Sequence, residues 1–358
     1  MNLHEENVER FAVLQNLYYS GRTEEFQRGL HQWRRDNQRS PYIQYLEAIV
    51  ARHQLAPASA WAADYEAGLL CKLRSTVMPV QTNRWHGQRT ASQSITIWAE
   101  DGLGDFIRHA SHIRRVERCC SELVVHLPEK IRPLFEQNFP TCFVTSSSED
   151  AIRSDLHIAS GSLDGLFWDA SKSPQASGYL SAPEPVAIPQ KNARKIRVGV
   201  CSRSTKLAWD RDQNYTNLAA LAPIFQSEDV ECHSLQYTND QAEIEEAQSA
   251  FLTPIVSYPQ FDFFDDITAL SNVIASLDMV VATSTLVADL ASALGVKTWR
   301  FHTIPGQRLI WSPENSTIFD THDPSPGKCW YSDRTTVAYR GEKDSWQDFF
   351  GELAKHMF

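Results

Sequence analysis

Two separate runs of short apolar strands alternating with helical segments constrain this chain more than any other feature. In the first, Ile95-Thr96-Ile97-Trp98, Leu123–Leu127, Cys142-Phe143-Val144 and Asp155–Ile158 read as strands. Helices are expected from about 105 to 118 and from 129 to 137. In the second, strands are expected at 196–201, 231–236, 254–256, 279–282 and 296–301. Helices fall at 217–225, 241–250, 267–277 and 285–294, with a closing helix at 345–356. Regular alternation of this kind predicts mainly parallel, doubly wound sheets. Pro174, Pro183, Pro185 and Pro189 mark the connection between the two series.

The segment before the first strand series has helical period. Val8, Phe11, Leu14 and Leu17 share a face, with Gly21 as a stop; Phe26, Leu30 and Trp33 follow at i, i+4 and i+7. Ser40-Pro41 starts a third helix carrying Ile43, Leu46 and Ile49. Pro57 opens a fourth, with Trp61, Tyr65 and Leu69 on one side. Two helix pairs of about 34 residues have the period of tetratricopeptide repeats, and an ordinary helical bundle fits the same pattern. The expected role is docking a partner or packing on the next domain. The polar stretch 76–92 reads as a linker.

Composition narrows the function classes. A net charge of −10 over 358 residues argues against an extended nucleic-acid or anionic-membrane surface. The acidic start lacks the apolar stretch of a signal peptide, and no apolar run is long enough to span a bilayer. The seven cysteines form no C-x-x-C pair and no cluster with histidine. Neither a metal site nor a disulfide framework is expected, and reduced thiols in a cytoplasmic protein are the simplest reading.

Three segments follow strands and could carry chemistry. Glu100-Asp101-Gly102-Leu103-Gly104-Asp105 opens a helix, where glycines permit close backbone approach and the helix start attracts anions. Ile107 stands where a dinucleotide fingerprint needs its third glycine, so a nicotinamide site is not indicated. Ser202-Arg203-Ser204-Thr205-Lys206 offers hydroxyls and two cations for phosphate, or forms a solvated loop. Asp210-Arg211-Asp212 has the form of an acidic metal motif but is common by chance. Ser284 and Thr285 lie on the first turn after a buried strand, suited to holding a pyrophosphate or simply to capping by Ser284.

Taken in order, Trp85-His86-Gly87, Ile97–Asp105, Val198-Gly199-Val200, Ser234-Leu235-Gln236, Asp278–Gly295 and Trp330-Tyr331 resemble the ADP-heptose:lipopolysaccharide heptosyltransferase family (glycosyltransferase family 9). The closest likeness is to relatives that follow tetratricopeptide repeats. The resemblance implies a GT-B fold of two Rossmann-like domains, with the acceptor-side domain first, the nucleotide-sugar domain second, and no obligatory metal. The expected organisation is helices over 1–75, the first domain over 93–182, the second over 195–340, and a closing helix over 341–358 that crosses back onto the first domain. Asp105 falls where the family places its catalytic acidic residue and is the candidate general base, with Glu100 and Asp101 in reserve. Ser202, Arg203, Lys206, Gln236, Ser284, Thr285 and Asp289 fall on the donor side. The chain departs from the family where the turn usually reads Asp-Thr-x-x-x-His. Here its ends are Ser284 and Asp289, and only Thr285 is retained. The implied activity is transfer of a sugar from a nucleotide sugar, as substrate rather than cofactor, to a protein or glycan acceptor. The alternative is a non-catalytic scaffold that binds a partner through its helices.

Overall fold

The computed structural model describes residues 2–20, 22–37, 40–53, 56–74, 82–167, 178–187, 195–205, 212–237, 241–303, 327–328, 332–341 and 344–358. The fold is α/β, with a helical N-terminal region and two separate sheets, as the two strand series require. Lys206, Asp210, Arg211, Trp330 and Tyr331 lie outside the described residues.

Chain contacts divide the molecule into two units. Among the described residues, the first takes 2–132 and 139–167, and the second takes 133–138, 178–303 and 327 onward. The N-terminal helices therefore share a unit with the first sheet. They are α1 (Leu3–Tyr19), α2 (Thr23–Asp36) and α3 (Pro41–His53), followed by the short α4 (Ala62–Tyr65) and α5 (Ala67–Leu70). Asn2 caps α1 in a reciprocal capping box with Glu5. Phe26, Leu30 and Trp33 form the buried stripe of α2. The fourth helix expected from Pro57 is instead split into a 3-10 turn, α4 and α5. Leu69 packs against Trp98, Ala151 and Ala159 of the first α/β layer.

The first sheet has five parallel strands in the order β1-β5-β2-β3-β4. These are β1 (Asn83–Arg84), β2 (Thr90–Trp98), β3 (Cys120–His126), β4 (Phe143–Thr145) and β5 (Leu156–Ala159). It begins within the stretch expected to be a linker. The helix expected over 105–118 is broken into α6 (Leu103–His109), a 3-10 turn and α7 (Ile113–Glu117). Next come α8 (Arg132–Asn138), α9 (Ser148–Ala151) and α10 (Ser162–Phe167).

The second sheet runs β11-β12-β10-β9-β6-β7-β8. Its strands are β6 (Ile196–Cys201), β7 (Val230–Ser234), β8 (Ile255–Val256), β9 (Met279–Thr283), β10 (Lys297–Thr303), β11 (Gly327–Lys328) and β12 (Thr335–Arg340). All neighbours are parallel except β11 and β12. Its helices are α11 (Gln241–Gln248), α12 (Ile267–Ile274), α13 (Leu286–Ala293) and α14 (Trp346–Met357). Segment 218–225 winds as 3-10 turns, because Pro223 lacks the N–H that an α-helix interior needs. The last helix was expected to cross to the first domain. Instead Phe349, Phe350, Leu353 and Met357 complete the core of the second sheet with Leu221, Phe225 and Phe301. Each such side chain contributes roughly 1.5–3 kcal/mol by leaving water, which fixes α14 to its own unit. Among the described residues, no helix is long and apolar enough to cross a membrane.

Candidate functional site

Both sheets present a strand-to-helix turn at the carboxyl end of an interior strand, where parallel α/β sheets bind ligands. In the first unit that strand is β2. Its turn takes the left-handed conformation at Asp101 (φ 60°), and neither glycine has positive φ. Asp tolerates this region better than most residues. Gly102 is the N-cap of α6. Asp105, at the third position of α6, accepts the Gly102 N–H (3.1 Å) and an ion pair from Arg108, and its side chain remains 39% exposed. The capping role is thus filled, and the carboxylate still reaches solvent.

Glu100 is a correction to the sequence expectation. Rather than lining the mouth of the turn, its carboxylate is fully enclosed and takes a two-pronged ion pair from Arg74. The Gly161 N–H adds a bond of 2.6 Å. A Cβ on Gly161 would lie 2.6 Å from Glu100 Oε1, so only glycine permits this approach. Arg74 also donates to Ser162 Oγ (3.1 Å) and lies over the Tyr65 ring, 4.4 Å from its centroid. A group so committed is unsuited to taking a proton from a substrate. Asp101 stays exposed on the turn.

A second buried cluster sits at the far end of α6. Asp164 Oδ1 lies 3.2 Å from both His109 Nδ1 and His112 Nε2, and its other oxygen accepts from Arg52. Burial alone would raise the Asp164 pKa. The surrounding His109, Arg52 and His112 outweigh it and hold the carboxyl well below its ordinary value. The i, i+3 spacing of His109 and His112 was visible in the sequence; the partners at 52 and 164 were not.

In the second unit, candidates gather at the ends of three neighbouring strands, β9, β6 and β7. The Ser202 N–H donates to Gln236 Oε1 (3.1 Å), and Gln236 Nε2 returns a bond to the Arg203 carbonyl (2.8 Å). Arg203 pairs with Glu243, which also accepts the Leu218 N–H at 2.8 Å. The space among Val200, Ser202, Leu218, Ser234, Gln236 and Glu243 is about 10 Å³, room for about one water molecule. Thr285, not Ser284, is the N-cap of α13. Its hydroxyl bonds back to the Thr283 carbonyl (3.3 Å) and touches Cys201 Sγ (3.6 Å). That contact links the β9 turn to the end of β6.

Asp289 and Ser284 meet through a residue the sequence did not single out. Arg300 of β10 donates to both, with Asp289 buried on α13. The negative charge of Asp289 is therefore compensated within the unit. Lys206 falls outside the described residues, as do two of the three residues of the Asp210-Arg211-Asp212 motif. Among the described residues, no cluster of His, Cys, Asp or Glu has the makings of a metal site.

These features define an α/β protein with two parallel-sheet units, each carrying polar groups on a strand-to-helix turn, and with helices built into the first unit. No family model matches the chain. Protein FlbA of Caulobacter vibrioides is 25% identical over 237 residues, 59% of this chain and 40% of that protein. The chain thus spans about two fifths of the curated relative it matches. Among solved structures, it is similar to the bacterial iron-containing dodecameric glycosyltransferase TibC from enterotoxigenic E. coli. The identity is 11% and the TM-score 0.42, over 60% of this chain and 59% of that one, so here too it spans less than two thirds of the neighbour. For E. coli ADP-heptose lps heptosyltransferase II the values are 13% and 0.42, over 74% and 98%. For the glycosyl transferase family 9 protein of Veillonella parvula they are 10% and 0.41, over 78% and 94%.

Proposed function

We propose that this protein transfers a sugar from a nucleotide-sugar donor to a protein or glycan acceptor in the cytoplasm, without an obligatory metal. The observation that carries the reading is the half-open carboxylate of Asp105, in the first turn of the helix that follows the central strand of its sheet. The ordered sequence resemblance to nucleotide-sugar transferases supports it. In this reading Asp105 takes the proton from the acceptor hydroxyl as that oxygen attacks the anomeric carbon and the nucleoside diphosphate leaves. The Gly102 N–H and the helix start keep the carboxylate ionised, at some cost to its strength as a base. Excluding water around it would offset that cost. The donor lies in the second unit against Ser202, Arg203, Gln236, Ser284 and Thr285; Lys206 follows Thr205 directly in the sequence.

One observation favours a second reading, a non-catalytic scaffold. Ser284 and Asp289 are engaged by Arg300, and Arg203 by Glu243, so a donor would have to compete for them. Thermal denaturation against a panel of nucleoside diphosphates and nucleotide sugars, with and without EDTA, separates the readings. A true donor at a hundredfold excess over its Kd stabilises the folded state by about 2.7 kcal/mol. The expected result is stabilisation by one nucleotide class, unchanged by EDTA. A flat response across the panel removes the donor site and leaves the scaffold.

A further inference from the structure

Helix α6 carries Asp105, and it is held at both ends by buried ionic groups whose cations come from the N-terminal helical region. At its start, Glu100 precedes the turn and is gripped by Arg74, with Gly161 and Ser162 closing the group. At its end, His109 and the following His112 share Asp164 with Arg52. Arg52 lies on α3 and Arg74 just beyond α5. Glu66, on the same stretch, adds a 3.0 Å pair with Arg84 of β1 and faces Arg74 at 3.6 Å. Arg52 is further wedged against the rings of Trp61 and Tyr65, at 5.5 and 5.0 Å.

Simple anchoring of helices to a sheet would need only apolar contact, which Leu69 already makes. Enclosed ion pairs are a poor way to gain stability, because desolvation cancels much of the attraction, but they demand one geometry. The arginine fork is planar and fixes direction as well as distance. Arg74 forks onto Glu100, just ahead of the seven-residue α6, and Arg52, held by Tyr65 Oη (3.0 Å), bears on its far end through Asp164 and His109. Reacting groups need placement within about 0.5 Å, and an error of about 1 Å can cost a hundredfold in rate.

We infer that Arg52 and Arg74 are positioning residues: the helical region, through them, sets the height and direction of α6 and so of the Asp105 carboxylate. The inference rests on the proposal that Asp105 is the base. It makes the helices part of the catalytic unit rather than a detachable docking module.

The test uses the full chain with Arg74→Lys and Arg52→Lys, which keep the charge and lose the fork. Three readouts apply: melting, hydrogen exchange of amides 101–109, and turnover of whichever nucleotide sugar the panel selects. A role in charge compensation alone is rescued by lysine. Positioning is not: exchange over 101–109 should quicken at least tenfold, with β3 and the second sheet unchanged. Turnover should fall at least tenfold with KM for the donor unaltered. If a lysine variant does not fold, Arg74→Met with Glu100→Gln removes both charges together and is read the same way. Folded variants with native exchange over 101–109 and native turnover overturn the inference. A wild-type protein that turns over no nucleotide sugar sinks the proposed activity instead. The exchange experiment then decides by itself whether the arginines hold the helix.

Discussion

The turn after β2 and the turn after β9 show the same device used in two ways. In the first unit, the carboxylate before the turn, Glu100, is enclosed by a distant arginine, while Asp105 on the helix stays open to solvent. In the second unit, the carboxylate on the helix, Asp289, is the enclosed one, and the turn's hydroxyls are engaged as well, Ser284 by Arg300 and the buried Thr285 by the Thr283 carbonyl. One turn exposes a carboxylate and hides its neighbour; the other encloses its carboxylate and engages its hydroxyls internally. In the proposed transfer the first unit would offer its open carboxylate to a proton, whereas a donor in the second would have to displace internal hydrogen bonds.

Removing the arginine from each turn gives the largest expected effect. Arg74→Met leaves Glu100 buried with no cation and should destabilise the first unit by about 3–5 kcal/mol. Arg300→Met should do the same to the second unit, at the lower end of that range because Asp289 retains slight exposure. Chemical denaturation followed by exchange at β3 and at β9 reads the two units separately. Equal loss in both units from either variant would dissolve the comparison.

Acid should separate the units more gently. Burial pushes the pKa values of His112, His126 and His157 down in the first unit. In the second it pushes down His233, against the opposing pull of Glu231. A histidine depressed in the folded state stays neutral where the unfolded chain, at about 6.5, takes up a proton. The unfolded state then binds more protons, so stability present above about pH 6.5 is lost as pH falls. With three such groups against one among the described residues, β3 protection should decline faster than β9 protection between pH 7.5 and 5.5. The reverse order would contradict the downward shift assigned to these groups.

Much of the fold was legible because buried parallel strands are continuous apolar runs. Ile196–Cys201 and Met279–Thr283 stand out against their flanks. Asn83–Arg84 did not, being two polar residues that pair with β5 through backbone alone. β12, Thr335–Arg340, was missed because it lies outside the regular alternation that guided the reading. At the candidate site, sequence order pointed to Asp105, Gln236 and Thr285. It gave no sign of Arg74, Arg52 or Arg300, which reach their carboxylates across 26, 112 and 11 residues. Ion pairs of that kind leave no periodic trace. Without them Asp289 reads as a misplaced charge and Glu100 as a spare base.

The central claim is that the open carboxylate of the first turn is the base of a sugar transfer. It is tested most directly by turnover of Asp105→Asn against the wild type, with the nucleotide sugar selected by the panel. The substitution keeps the shape and removes only a half-exposed charge, so its cost in stability should be at most about 1 kcal/mol. The account predicts a folded protein that binds the donor with nearly unchanged affinity and turns it over about 10²–10⁴-fold more slowly. Near-normal turnover by folded Asp105→Asn would contradict it.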